Sequence, residues 1–276
     1  MATQTTPTSP AAWRPDVTAY VPGDVIPDAL ILTHAIVAGS IEGDEPSVRV
    51  PFVADDGTVG IVAEGAAIPD AGQDFDEVVI QTDKVATLGK YSYETLQQPN
   101  AAKLVTDSLQ RSIVRKANAL FLGSASNPTG LLNVSGVVNA GTVTADLDPM
   151  VDAIAAIEDA GGTATNIVAS PSAWAEVSKL KTGTDSNVSI VGAGTAAGTR
   201  ALLSLPVTVT PDMPDGGLLV VDRNSIVAAV GNVRVARSEE AFFVNDVVAI
   251  RVTFRLGWGV MHPGRLAKLT APTPGS

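Results

Sequence analysis

Hydrophobic positions recur along this chain with two different periods, and the changes of period mark its parts. "SVRVPFV", starting at Ser47, alternates apolar and polar residues as a half-exposed strand does. Two further strand-like runs, Val78 to Gln81 and Val85 to Tyr93, follow a stretch punctuated by Gly, Pro and Asp. The pattern predicts a long two-stranded excursion with a Gly- and Ala-rich tip. It holds too few large apolar residues to build a core, and an isolated ribbon is marginal in water, so it must lie on something else. Upstream, "DVIPDALILTHAIVAG" fits either a short helix from Asp28 to Val37 stopped by Gly39 or an extended segment. Residues 1 to about 20, rich in Thr, Pro and Ala without a period, read as a flexible or extended arm.

From Asn100 to Leu122 the period becomes helical. Val105, Leu109, Ile113 and Ala117 repeat every fourth residue, Leu120 and Phe121 continue the stripe, and Gly123 supplies a stop. A helix of about 20 residues reaches some 30 Å. Lys103, Arg111, Arg115 and Lys116 decorate it. After "NPTGLLN" the pattern predicts a compact α/β unit. Its first helix runs from Pro149 to Ala160, with Asp148 as N-cap and Gly161-Gly162 as the stop. Then come the strand "NIVAS", a helix from Pro171 capped by Ser170, and a Gly- and Ala-rich loop from Gly183 to Thr199. The strands "LPVTVT", "GLLVV" and "SIVAAVGNVRVAR" complete the unit. Near the end an alternating strand from Val247 to Phe254 carries Arg251 and leads into Arg255, with a Gly-Trp-Gly turn expected directly after it. The two arginines lie four apart, so on a regular strand they share a face.

At 276 residues the chain fits one large domain or two small ones. With 45% hydrophobic and 17% charged residues, it is a folded rather than a disordered sequence. No apolar run approaches the roughly 18 residues of a bilayer span, and "MATQTTPTSPAAW" lacks the regions of a signal peptide. A non-secreted chain with no membrane partner is expected. The absence of cysteine excludes disulfides, thiolate nucleophiles and cysteine-ligated zinc.

The net charge of −11 argues against gripping nucleic acid over the whole surface, since that affinity depends on neutralising phosphates. The charge is also uneven. Glu42, Asp44, Glu45, Asp55, Asp56, Glu64, Asp70, Asp74, Asp76, Glu77 and Asp83 crowd one segment, in which Arg49 is the only base. From Arg223 onward Arg234, Arg237, Arg251, Arg255, Arg265 and Lys268 turn the balance basic. Each patch read alone is a solvated surface; read together, they can meet between copies of the protein.

Catalytic chemistry finds little footing. The two histidines, His34 and His262, stand more than two hundred positions apart, and no HExxH or GxSxG is present. "GAGTAAG" at Gly192 to Gly198 follows no clear strand and opens no strong helix, so it is a loop rather than a dinucleotide site. "DDG" at Asp55 to Gly57 lacks the other carboxylates of a calcium loop. A phosphate loop would need GK[ST], which is absent. No catalytic, cofactor-binding or metal-binding residue is assigned, no cofactor is expected, and the chain does not read as an enzyme.

The order of parts resembles the major capsid proteins of tailed bacteriophages, with their α+β Hong Kong 97-type fold. "IVAEGAAIPDAGQDFDEVVIQTDKVATLGKYSYETL" is similar to that family's extended ribbon. "SIVRKANALFLGSASNPTGLLN" is similar to the end of its spine helix and the turn beyond. "LLSLPVTVTPDMPDGGLLVVD" resembles its "G-x-PV" strand, except that Ser204 and Leu205 stand where glycine is common. "FFVNDVVAIRVTFRLGWGVMHPGRLAKL" matches its closing strands. Each motif is short and degenerate; their collinearity over roughly residues 20 to 270 carries the resemblance.

The resemblance implies an N-terminal arm over 1–43, an E-loop over 44–88 and a P-domain with the spine helix over 89–130. An A-domain would span 131–235, and the P-domain would return over 236–276. It also implies a shell protein forming pentamers and hexamers of an icosahedral shell around packaged double-stranded DNA. Its partners would be itself and a portal protein at one vertex, with separate scaffolding and cement proteins left open by the sequence. Its place would be the virion, with assembly in the bacterial host cytoplasm. The short arm makes a fused scaffold unexpected. Arg251 and Arg255 would pair with carboxylates of a neighbour's ribbon, whereas Arg111, Arg115 and Lys116 would face either the packaged DNA or a neighbour's acidic segment. Some relatives weld subunits through a lysine on the E-loop, an asparagine on the P-domain and a carboxylate. The ribbon from Ser47 to Asp83 has no lysine, Lys84 and Lys90 coming only on the returning strand, so Asn232 and Asn245 would lack an amine within about 3 to 3.5 Å. A shell without covalent cross-links is expected. Alternatives from the same residues are an encapsulin-type nanocompartment enclosing enzyme cargo, an α/β enzyme, and a virion decoration protein.

Overall fold

The computed structural model describes residues 17–41, 47–55, 57–68, 70–98, 100–183, 186–191 and 200–272. The chain opens with β1 (Val17–Tyr20), the single-turn helices α1 (Pro22–Val25) and α2 (Leu30–Thr33), and β2 (Ile36–Ile41). The segment that fitted either a helix or an extended chain is therefore both. The helix ends at His34, and Ile36 and Val37 extend to pair in parallel with a later strand.

The ribbon follows as β3 (Ser47–Asp55) and β4 (Asp74–Gln81), antiparallel from Ser47↔Gln81 to Asp55↔Asp74. Next come β5 (Asp83–Ser92), the short helix α3 (Tyr93–Gln97) and the long helix α4 (Ala101–Gly123). Ser92 caps α3, its hydroxyl accepting from the Thr95 amide at 3.3 Å. Helix α4 is 23 residues long and buries Leu109, Ile113, Ala117 and Phe121 on the face expected from their spacing.

The α/β unit holds β6 (Val138–Thr142), α5 (Asp148–Asp159), β7 (Asn166–Ala169), α6 (Pro171–Lys179), β8 (Ala201–Leu202), β9 (Leu205–Val209) and β10 (Gly217–Val221). Ser170 caps α6 as expected, accepting from the Ala173 amide at 3.1 Å. Helix α5 begins one residue earlier than its sequence suggested. Leu147 is its N-cap and Asp148 its first residue, where the carboxylate still favours the helix dipole. Gly161, with φ of 73°, ends that helix in a conformation that glycine adopts without cost.

The chain then leaves the unit through β11 (Ile226–Gly231), β12 (Val233–Phe242) and β13 (Val247–Val260), and returns to it with β14 (Leu266–Thr270). Two six-stranded sheets result. In the first, β13 is shared: β5 runs along one edge, while β11 and β12 occupy the other in succession. β1 and β2 extend that sheet beyond β12 and β11. In the second sheet the order is β6-β14-β10-β7-β9-β8, and α5 and α6 pack on it around Met150, Ile157 and Val177.

The fold corrects two expectations. "SIVAAVGNVRVAR" does not complete the α/β unit; after Asp222 it crosses to the first sheet as β11 and β12. All six residues of β11 are buried. A strand apolar on both faces looks alike in either sheet, so its sequence does not say which one it joins. Nor does Gly257-Trp258-Gly259 form a turn, because β13 runs unbroken for 14 residues through it. The glycines serve a close approach of the ribbon instead.

Candidate assembly surface

The first sheet separates two layers of the subunit. Alternation along β13 turns Ile250, Val252, Phe254, Leu256 and Trp258 toward α4, where they share one core with Leu109, Ile113 and Phe121. Trp258 meets Phe121 edge to face with centroids 5.4 Å apart, and its indole N–H donates to the Thr129 carbonyl at 2.7 Å. The intervening residues Arg251, Thr253, Arg255, Gly257 and Gly259 face the other way. There the root of the ribbon crosses the sheet. A Cβ on Gly257 would overlap the Gln81 carbonyl, and one on Gly259 would overlap the Val78 side chain. Glycine inside an alternating strand thus lets a second layer of backbone come close. Ile80, fully buried, joins Ile41, Val227 and Ala229 in a small cluster under the root, and Phe52 meets His262 edge to face at 5.3 Å.

Beyond its root the ribbon is left uncovered by the described residues of its own chain. Val59 is 96% exposed, Ile68 84% and Phe75 71%, far more than large apolar residues usually are. Glu64, Asp70, Asp74, Asp76 and Glu77 stand exposed among them. The period of two places Asp74 and Asp76 on the same face of β4 as Val78 and Ile80, the face turned toward the sheet. Arg49 and Glu77 form an exposed ion pair at 2.9 Å, which contributes little.

The sheet that receives the root is basic on the same side. Lys84 stands opposite Arg255, Leu88 opposite Arg251, and Arg234 opposite Thr253. Ala86 and Ala236 make a low floor between these side chains. The two arginines read as a matched pair are not equivalent. Arg251 is exposed. Arg255 is half-buried, and its guanidinium donates to the Thr82 hydroxyl at 3.1 Å and the Thr82 carbonyl at 3.4 Å, bracing the base of the ribbon within its own chain. Lys90 lies 4.1 Å from the centre of the Phe242 ring. Asn232 lines the same cleft as Lys84, Arg234 and Arg255, and Asn245 sits in the turn before β13. Arg111, Arg115 and Lys116 are exposed on α4, in the opposite layer.

His34 is buried at 2% exposure where α2 ends. Its Nδ1 lies 2.6 Å from the Thr33 hydroxyl and 3.3 Å from the Leu30 carbonyl, while Nε2 has no partner. Burial pushes its pKa below 6.5; the bond to Leu30 opposes this and the Arg223 charge reinforces it. Nearby the Leu30 amide donates to the Asn118 side chain at 2.9 Å, and Asn118 donates to Asp212 at 3.0 Å, tying the N-terminal segment, α4 and the second unit together. Nothing in the pattern singled out Asn118, since a polar residue on a helix is usually exposed. His262 is a packing residue against the ribbon. No cluster of three or more potential metal ligands occurs among the described residues. "GAGTAAG" at 192–198 and Asp56 of "DDG" lie outside the described residues. Among the described residues no helix is long and apolar enough to cross a membrane.

Among the described residues the ribbon thus sets exposed apolar and acidic side chains beside a basic sheet face. The sequence profile of the phage capsid family matches residues 37–271, and the chain belongs to that family. It is a capsid shell protein of the virion. No curated protein matches it in sequence. Among solved structures, the capsid of a native GTA particle superposes with a TM-score of 0.70 at 19% identity, covering 99% of this chain and 100% of the other. A chain from Gordonia phage Cozz gives 0.69 at 15% identity, covering 95% and 90%. One from Mycobacterium phage Bobi gives 0.68 at 15% identity, covering 99% and 100%. At these identities the likeness is one of fold.

Proposed function

We propose that this chain is a non-enzymatic major capsid protein that closes into an icosahedral shell of pentamers and hexamers around double-stranded DNA. The observation that carries this is the ribbon, whose apolar tip and acidic underside are left uncovered by the described residues of its own chain. A neighbour's basic sheet face, with Lys84, Arg234 and Arg251, is complementary to it. In the terms of the Hong Kong 97-type fold, the ribbon is the E-loop, α4 the spine helix, the first sheet the core of the P-domain and the second unit the A-domain. The crossings at Asp222 and Leu266 favour moving the A-domain limits from 131–235 to about 131–222 with 266–271 added. A portal at one vertex, with separate scaffolding or cement proteins, completes the particle, which assembles in the cytoplasm of a bacterial host. The shell is held without covalent cross-links, because the ribbon offers no lysine amine. The phage capsid profile supports this reading over an encapsulin-type compartment with enzyme cargo. Electron microscopy of the purified protein tests it: closed icosahedral particles are expected, and only monomers or small dimers under native virion conditions would contradict it.

A further inference from the structure

We infer that the exposed face of α4, through Arg111, Arg115 and Lys116, is a docking surface for the phosphate backbone of double-stranded nucleic acid. This rests on the shell reading and assigns the charge that reading leaves over. Among the described residues, Arg234 and Arg251 lie on one side of the first sheet and Arg111, Arg115 and Lys116 on the other. Arg234 and Arg251 share the face that carries the ribbon, so a neighbour's acidic ribbon in the same layer reaches them. It does not reach α4, which packs on the other face through Leu109, Ile113 and Phe121.

At 3.6 residues per turn, Arg111 and Arg115 project on the side of α4 opposite Ile113, and Lys116 lies on its flank. All three are exposed, and no ion pair holds any of them among the described residues. Asp107 is the only carboxylate on the helix. Ser108, Ser112 and Ala119, also exposed, keep the surface between the cations low. A broad approaching backbone therefore meets guanidinium and ammonium groups first, and guanidinium suits phosphate geometry. The chain's net charge of −11 repels a polyanion at long range, so this contact acts at short range, where an enclosed polymer is held against the wall.

The test replaces Arg111, Arg115 and Lys116 together by Gln in the full chain. Particles are imaged, and binding of the unassembled chain, whose α4 face is open to solvent, to a linear DNA duplex is titrated between about 50 and 200 mM salt. Particles are expected to form as with the unaltered chain. DNA affinity should drop several-fold at low salt, and the slope of log affinity against log salt should fall by roughly 0.9 for each phosphate that is no longer neutralised. An unchanged slope would overturn the assignment. So would a folded variant that no longer forms particles, because the stripe would then join copies of the protein. If the unaltered chain forms no particles, the shell reading fails alone, and the slopes still decide the role of α4.

Discussion

Gly259 of β13 lies directly beneath Val78 of β4, with no space for a Cβ between them. The contact seats the ribbon on the sheet, and Gly257 under Gln81 extends it by one strand repeat. Replacing Gly259 by Val would force β4 off the sheet or strain the strand. Overpacking of this kind costs roughly 1–3 kcal/mol. The expected result is a lower unfolding midpoint, together with faster hydrogen exchange over residues 74–81 than in the unaltered chain. Unchanged exchange there would show that the root is not anchored by this approach.

Shortening the ribbon separates folding from assembly. Replacing residues 59–70 by Asn-Gly retains the Thr58–Ala71 backbone bond of 3.0 Å and removes the exposed apolar tip. The subunit should remain folded, since neither large core uses that segment. Particles should fail to form, or should fall apart at lower denaturant. Normal particles from this variant would refute the part given to the ribbon tip.

The buried imidazole of His34 sets a pH dependence. Its folded pKa is depressed, so below about pH 6.5 the unfolded chain binds the proton more readily than the folded one. Stability is therefore full above about pH 6.5 and declines as pH falls toward the folded pKa. A His34→Leu variant should lose less of its own stability between about pH 8 and pH 5 than the unaltered chain does. Parallel decline in the two, read from urea midpoints, would show that His34 does not titrate there.

Mature particles boiled in SDS should run as a single band at the 28.2 kDa of the chain. Lys84 and Lys90, the nearest lysines after the ribbon, lie on β5 in the first sheet, where Lys90 is over Phe242. A ladder of linked subunits would show that one of these amines reaches an acceptor after all.

The sequence by itself determined the parts whose physics is local. The fourfold spacing from Leu109 to Phe121 makes α4 amphipathic whatever it packs against, and Ser170 before Pro171 starts a helix through one side-chain bond. The acidic, coreless ribbon was legible as composition. Tertiary structure alone decided the partnerships. β11, apolar on both faces, suits either sheet, and only the register with β13 places it in the first. Gly257 and Gly259 signal a turn in isolation, and become a seat only because β4 arrives from far away in sequence. Arg251 and Arg255 share a face by periodicity, but Thr82 captures Arg255 and leaves Arg251 exposed. Asn118 is an ordinary helix residue until Leu30 and Asp212 come to it. Periodicity fixes which residues share a face; which chain segment covers that face depends on contacts between distant residues, and those exist only in the folded protein.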